Sequence, residues 1–91
     1  MIRVVWTKDR VTLHGHAGSA PRGQDTVCAA VSALIFALVG TLEQQGKLRE
    51  AVLRSGYATV CAQEGCEAQL SVVRCGLGQL AALYPECVRV E

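Results

Sequence analysis

The chain begins by alternating. In Val11-Thr12-Leu13-His14-Gly15 the apolar Val11 and Leu13 alternate with Thr12 and His14, the period of a strand with one face in a core. The β-branched run Ile2-Arg3-Val4-Val5-Trp6 precedes it, and Thr7-Lys8-Asp9-Arg10 separates the two. Together they predict an antiparallel hairpin. Residues 17–24 hold two glycines, a proline and mostly small side chains, which predicts a mobile loop. The period then lengthens. Asp25 is placed to cap a helix that runs to about Gln45, where Gly46 stops it. Val27, Val31, Leu34, Leu38 and Leu42 fall on one buried face, which Ile35 and Val39 widen. Ala29, Ala33, Phe36 and Ala37 make the opposite side apolar too, so this helix is expected to be covered on most sides or shared with a partner.

The second half repeats the order without sharing a motif. Leu48–Arg54 and residues 57–63 flank Ser55-Gly56 and read as another hairpin, although Arg49-Glu50-Ala51 would also suit a helix end. Residues 64–84 show helical spacing at Leu70, Val73, Leu77, Leu80 and Tyr84, and Pro85 ends it. Gly76 and Gly78 weaken that helix by ~1 kcal/mol each relative to alanine, and close packing against a neighbour would explain tolerating them. Cys87-Val88-Arg89-Val90 can return as a final edge strand. The expected class is α+β: a two-layer ββαββα sandwich with two helices on a small, mostly antiparallel sheet. At 91 residues this is one domain, 1–91, with no linker or internal repeat.

Composition narrows the function classes. The net charge is +1, with no basic block, and Trp6, Phe36, Tyr57 and Tyr84 are the only rings besides the histidines. A phosphate-tracking groove with stacking rings is a poor fit, so no direct nucleic-acid partner is expected. The apolar run 26–42 is interrupted by Ser32, Gly40 and Thr41, which favours a buried helix over a membrane span. Five cysteines, at 28, 61, 66, 75 and 87, are too odd a number for a complete disulfide set. Nothing at the start reads as a signal peptide. Free thiols in a reducing cytoplasm are therefore expected.

The candidate chemistry lies between the first hairpin and the first helix. With Asp25 as N-cap, Cys28 is the third helical residue. A first-turn thiol meets exposed N–H groups and the positive end of the helix dipole, both of which favour thiolate. The same N–H groups suit a developing oxyanion. His16 lies twelve residues before Cys28, across a loop of small residues, and imidazole suits a general base near neutral pH. Position alone favours a plainer reading, since free cysteines are ordinarily inert small hydrophobes and strand-end histidines are ordinarily solvated. Asp25 reads as a cap that also positions Cys28, rather than as a third member beside His16, because a carboxylate next to the thiol would oppose its ionisation. Ser32, one turn on, either bonds the backbone behind it or lines the site. Gly15 and Gly23 flank the histidine and the helix start, where each allows a turn or the close approach of a substrate backbone. Zinc is the rival chemistry, through His14, His16 and Cys28. The remaining cysteines show no CxxC spacing, and no metal or other cofactor is expected.

The segment Gly15-His16-Ala17, followed by Gly23-Gln24-Asp25-Thr26-Val27-Cys28-Ala29-Ala30-Val31-Ser32-Ala33-Leu34, resembles the ribosomal-processing cysteine protease family, Prp. The family pattern is GHA, a small-residue loop, then GxDxVCAAxSxL, and the element order is similar over essentially the whole chain. The resemblance implies a Cys-His dyad of Cys28 and His16, a homodimer, and no cofactor. It implies a peptide substrate, the N-terminal extension of bacterial large-subunit ribosomal protein L twenty-seven, cut after aromatic residues. An apolar groove beside Cys28 and a loop 17–24 that closes over the substrate would follow. A non-catalytic dimeric module that binds ribosomal protein is the alternative. It predicts five thiols of ordinary reactivity, where the protease predicts one reactive thiol at Cys28.

Overall fold

The computed structural model describes residues 1–18 and 25–91. Its elements are β1 (Ile2–Thr7), β2 (Arg10–His14), α1 (Thr26–Gln44), β3 (Leu48–Arg54), β4 (Tyr57–Ala62), α2 (Glu67–Leu83) and β5 (Val88–Val90). Five strands form one mixed sheet in the order β3-β4-β2-β1-β5. Both hairpins form as expected, and β5 adds to β1 in parallel as the final edge strand. Residues 49–51 belong to β3, so the helix-end reading of that stretch falls away. The first hairpin turns through Lys8 and Asp9, with Asp9 at φ 60°, a conformation aspartate tolerates in tight turns.

Register explains which side chains form the core. Val4 pairs with Leu13, Val11 with Val60, and Ile2 with Val88, so these residues share one face of the sheet. The helices supply Val27, Val31, Ile35, Leu38 and Leu42 from α1, and Leu70, Val73 and Leu77 from α2. These side chains join the sheet residues in one buried cluster. The opposite face carries Arg3, His14, Tyr57 and Arg54 in one row across the strands, and Thr12 beside Thr59 in the next. Arg10 bonds Thr59 Oγ1 at 2.8 Å and Glu50 at 2.7 Å there.

Helix α1 begins and ends on local signals. Asp25 Oδ1 accepts the Cys28 N–H at 2.9 Å, which fixes the first turn. At the other end Gly46, at φ 67°, closes a Schellman motif in which Lys47 N–H donates to Leu42 O at 2.8 Å and Gly46 N–H to Glu43 O at 3.1 Å. The buried stripe passes through Ile35, and Leu34 sits half-buried on its flank. There Leu34 meets Gly76 of α2: a Cβ on that glycine would lie 2.9 Å from Leu34 Cδ1. Close packing thus accounts for Gly76. It does not account for Gly78, which has nothing within 4 Å. Helix α2 starts three residues later than the spacing suggests, because Gly65 at φ 89° turns the chain before Cys66.

Of the two readings offered for α1, cover by the rest of the described residues falls away and sharing with a partner stays open. Its outer side is not covered by the described residues, since Ala29, Ala33 and Ala37 are exposed and Phe36 is 60% exposed. Its interruptions also do not set it apart from a membrane span, because at 19 residues with a mean hydropathy of 1.9 it is long and apolar enough to cross one by length and composition. The inner stripe of the same helix is packed on the sheet.

Candidate active site

Cys28 stands in the first turn of α1, half-buried, beside the C-terminal end of β2. Its Sγ accepts the backbone N–H of Ala17 at 3.2 Å. Three features hold residues 15–17 against the sheet end. Gly15 N–H donates to Gly56 O at 2.9 Å, in the β3–β4 turn. The Met1 amino group donates to the His16 carbonyl. Ala17 buries its methyl in the core at 4% exposure. Only glycine fits at position 15, because its φ is 96° and a Cβ there would lie 2.2 Å from Met1 O.

His16 projects into the cleft that Cys28 lines. The ring lies against the hairpin turn, where a Cβ added to Gly56 would be 3.0 Å from Nε2. Among the described residues it makes no hydrogen bond to Cys28 Sγ. The cleft, about 470 Å³, runs between α1 and the β3–β4 hairpin. Val31, Ser32, Ile35 and Phe36 form its helical wall, and the hairpin wall runs from Leu53 to Ala58. Ile2 and Leu13 also line it. Aliphatic side chains and the rings of Phe36 and Tyr57 thus give the apolar groove beside Cys28 that the family resemblance implied.

All the candidates but Gly23 fall among the described residues. Cys28, His16, Gly15 and Ser32 share the cleft, and Asp25 holds Cys28 from behind. The Asp25 cap also removes the Cys28 amide from the donors that a substrate could use. Gly23, and all but Ala17 and Gly18 of the 17–24 loop, lie outside the described residues. His14 faces elsewhere, packing edge-on against Tyr57 with centroids 5.1 Å apart. Among the described residues no three His, Cys, Asp or Glu side chains converge on a common point. Cys61, Cys66 and Cys87 are buried free thiols, whereas Cys75 is exposed.

Leu53, Arg54, Gly56 and Tyr57 were not anticipated. They reach the site because β4 pairs with β2, His14 lying opposite Tyr57, which brings the second hairpin's turn beside His16. The Arg54 guanidinium lies over the Tyr57 ring at 4.9 Å and puts a positive charge on the cleft's lip. Ser55-Gly56 was legible as a turn, but its place in the sheet was not.

Proteins of known description resemble this chain in sequence and in fold. A protein from Mycoplasma pneumoniae described as ribosomal processing cysteine protease Prp is 33% identical over 94 residues, covering 100% of this chain and 94% of that one. The crystal structure of the ribosomal processing protease Prp from S. aureus, with a covalently linked product peptide, superposes with a TM-score of 0.83 at 20% identity, over 99% of this chain and 95% of that one. A protein from Streptococcus mutans superposes with a TM-score of 0.73 at 28% identity, over 99% and 90%. The family model described as cysteine protease Prp matches residues 1–89, and the chain belongs to that family.

Proposed function

We propose that Cys28 is the nucleophile and His16 the general base and acid of an endopeptidase that removes the N-terminal extension of bacterial large-subunit ribosomal protein L twenty-seven. The observation that carries this reading is the shared cleft. A first-turn thiol and an imidazole, delivered by different elements, face one apolar groove with a backbone donor already on the sulfur. His16 takes the proton from Cys28 Sγ. The thiolate attacks the scissile carbonyl, the C–N bond breaks as His16 protonates the leaving amine, and water activated by His16 then hydrolyses the thioester. That the imidazole and sulfur are not bonded in the free protein is no obstacle, because such contacts tighten when substrate enters.

Ile2, Leu13, Val31, Ile35 and Leu53, with the Phe36 ring, suit the apolar residues of a leader that ends in aromatics. Asp25, Gly15 and Ser32 are supporting residues in this reading: the first fixes Cys28, the second fixes His16, and the third lines the groove. The enzyme is proposed to act in the cytoplasm as a homodimer, on a protein tail rather than on nucleic acid or membrane. S. aureus Prp has been crystallised with a substrate peptide, which supports peptide binding by this fold.

Intact mass spectrometry tests the reading. The protein and its Cys28→Ala variant are each incubated with the host's precursor ribosomal protein. The wild type alone is expected to release the leader after its aromatic pair. An uncut precursor with both proteins would overturn the assignment.

A further inference from the structure

We infer that the backbone amide of Ala17 is the oxyanion donor of this site, an assignment that rests on the protease reading. When Cys28 Sγ attacks, a C–S bond forms and the carbonyl π pair moves onto oxygen. That negative oxygen lies two bonds from the sulfur and needs donors about 2.7–3.1 Å away. The obvious candidate is the nucleophile's own amide, but Asp25 Oδ1 already takes it at 2.9 Å. The donor that the structure aims at the reacting atoms is Ala17 N–H, 3.2 Å from Sγ.

Its geometry is set before substrate arrives. The Ala17 methyl is buried in the core, Gly15 is bonded to Gly56, and the His16 carbonyl just before the amide is held by the Met1 amino group. A donor fixed in advance costs no reorganisation as charge develops. In the free protein the sulfur satisfies this amide, so a half-buried N–H is never left without an acceptor. As the negative charge passes from sulfur to carbonyl oxygen, the same N–H follows it across two bonds. When the intermediate collapses, the C–N bond breaks, His16 protonates the amine, and the carbonyl of the thioester re-forms.

Replacing Ala17 by lactic acid tests this, because the ester keeps the methyl and removes only the N–H. Cys28 itself permits the synthesis: a 1–27 thioester ligates to a 28–91 fragment that begins with Cys28, giving the full chain without a scar. Two rates are compared with those of an all-amide protein made the same way. Cleavage of the leader passes through an oxyanion, whereas alkylation of Cys28 by iodoacetamide does not. We expect kcat for cleavage to fall about 100-fold or more with KM little changed and alkylation slowed far less. Equal losses in both rates would make the amide a tuner of the thiol only and overturn the assignment, as would unchanged cleavage. An all-amide protein that fails to cleave would overturn the protease reading itself, and this inference with it. Should the ester fail to fold, wild-type protein labelled with ¹⁵N at Ala17 gives a second test. The Ala17 amide proton is expected to shift when a leader peptide ending in an aldehyde adds to Cys28. An unmoved signal on adduct formation would overturn the inference.

Discussion

At the scale of single residues, the site depends on two residues that position others, Asp25 and Gly15. Asp25 caps α1 through the Cys28 amide, so Asp25→Ala should cost about 1 kcal/mol. In a domain of this size that lowers Tm by roughly 4–8 °C. Asp25→Ser keeps an acceptor at the cap and should recover most of the loss, which calorimetry on the two variants would read directly. Gly15→Ala should be worse. It places a Cβ 2.2 Å from Met1 O at a φ of 96°. Strain of that kind costs on the order of 1–3 kcal/mol, and relieving it displaces the backbone that carries His16. Leader cleavage should therefore fall further than stability does, comparing kcat/KM with urea midpoints. His16, Asp25 and Cys28 were legible in the sequence because their relation is local: a strand end, a short loop and a cap. Phe36 was visible only as surplus apolar surface on α1, and Leu53 and Tyr57 not at all as site residues, because their approach to Cys28 passes through strand pairing.

At the scale of elements, the two glycines of α2 separate packing from propensity. Gly78 has open space around it, so Gly78→Ala should stabilise the protein by about 1 kcal/mol. Gly76 faces Leu34 of α1, so Gly76→Val should overpack the helix–helix contact and cost about 1–3 kcal/mol. Denaturant midpoints of opposite sign would confirm the distinction, and equal shifts would refute it. Edge strand β5 carries a pH dependence. Arg3 Nε and Nη2 bond the Glu91 carboxylate at 2.6 and 3.1 Å, and this hydrogen bond, with the charge of Arg3, holds the Glu91 carboxyl below its ordinary 4.5. A lowered folded pKa stabilises above the unfolded value and is lost as pH falls through the folded one. Both partners are partly exposed, so the effect should stay at the strand. Exchange of the Glu91 amide, bonded to Val4 O at 2.8 Å, should therefore lose protection in acid beyond its intrinsic pH dependence. Glu91→Gln should remove that extra term. Element types were legible because each carries its own period and stop signal. The start of α2 was not, because Gly65 adopts a positive φ that spacing does not reveal. Nor was the choice of Ile35 over Leu34 for the inner stripe, which the neighbouring helix decides.

At the scale of the whole molecule, local signals specify the hairpins and helices but not the order in which hairpins join. The order β3-β4-β2-β1-β5 sets the second hairpin beside the first and so builds the cleft. That pairing is long-range, and no residue pattern announces it. The outer surface of α1 is the converse case, because its apolarity was plain in the sequence and only the fold shows that the described residues leave it bare. Ala29, Ala33 and Ala37 let another surface approach the helix axis closely. A 19-residue helix presents about 28 Å of such surface. A second copy meeting α1 around a twofold axis would bury it twice over with one self-complementary patch. The proposed homodimer should then run at twice the 9.7 kDa chain mass in light scattering. Ala33→Glu puts a charge at the centre of the helix face and points away from the core, so it should shift the protein to monomer while leaving its far-UV dichroism intact. Wild type that stays monomeric at micromolar concentration would remove the dimer from the reading. A dimer indifferent to Ala33→Glu would move the interface elsewhere on the chain.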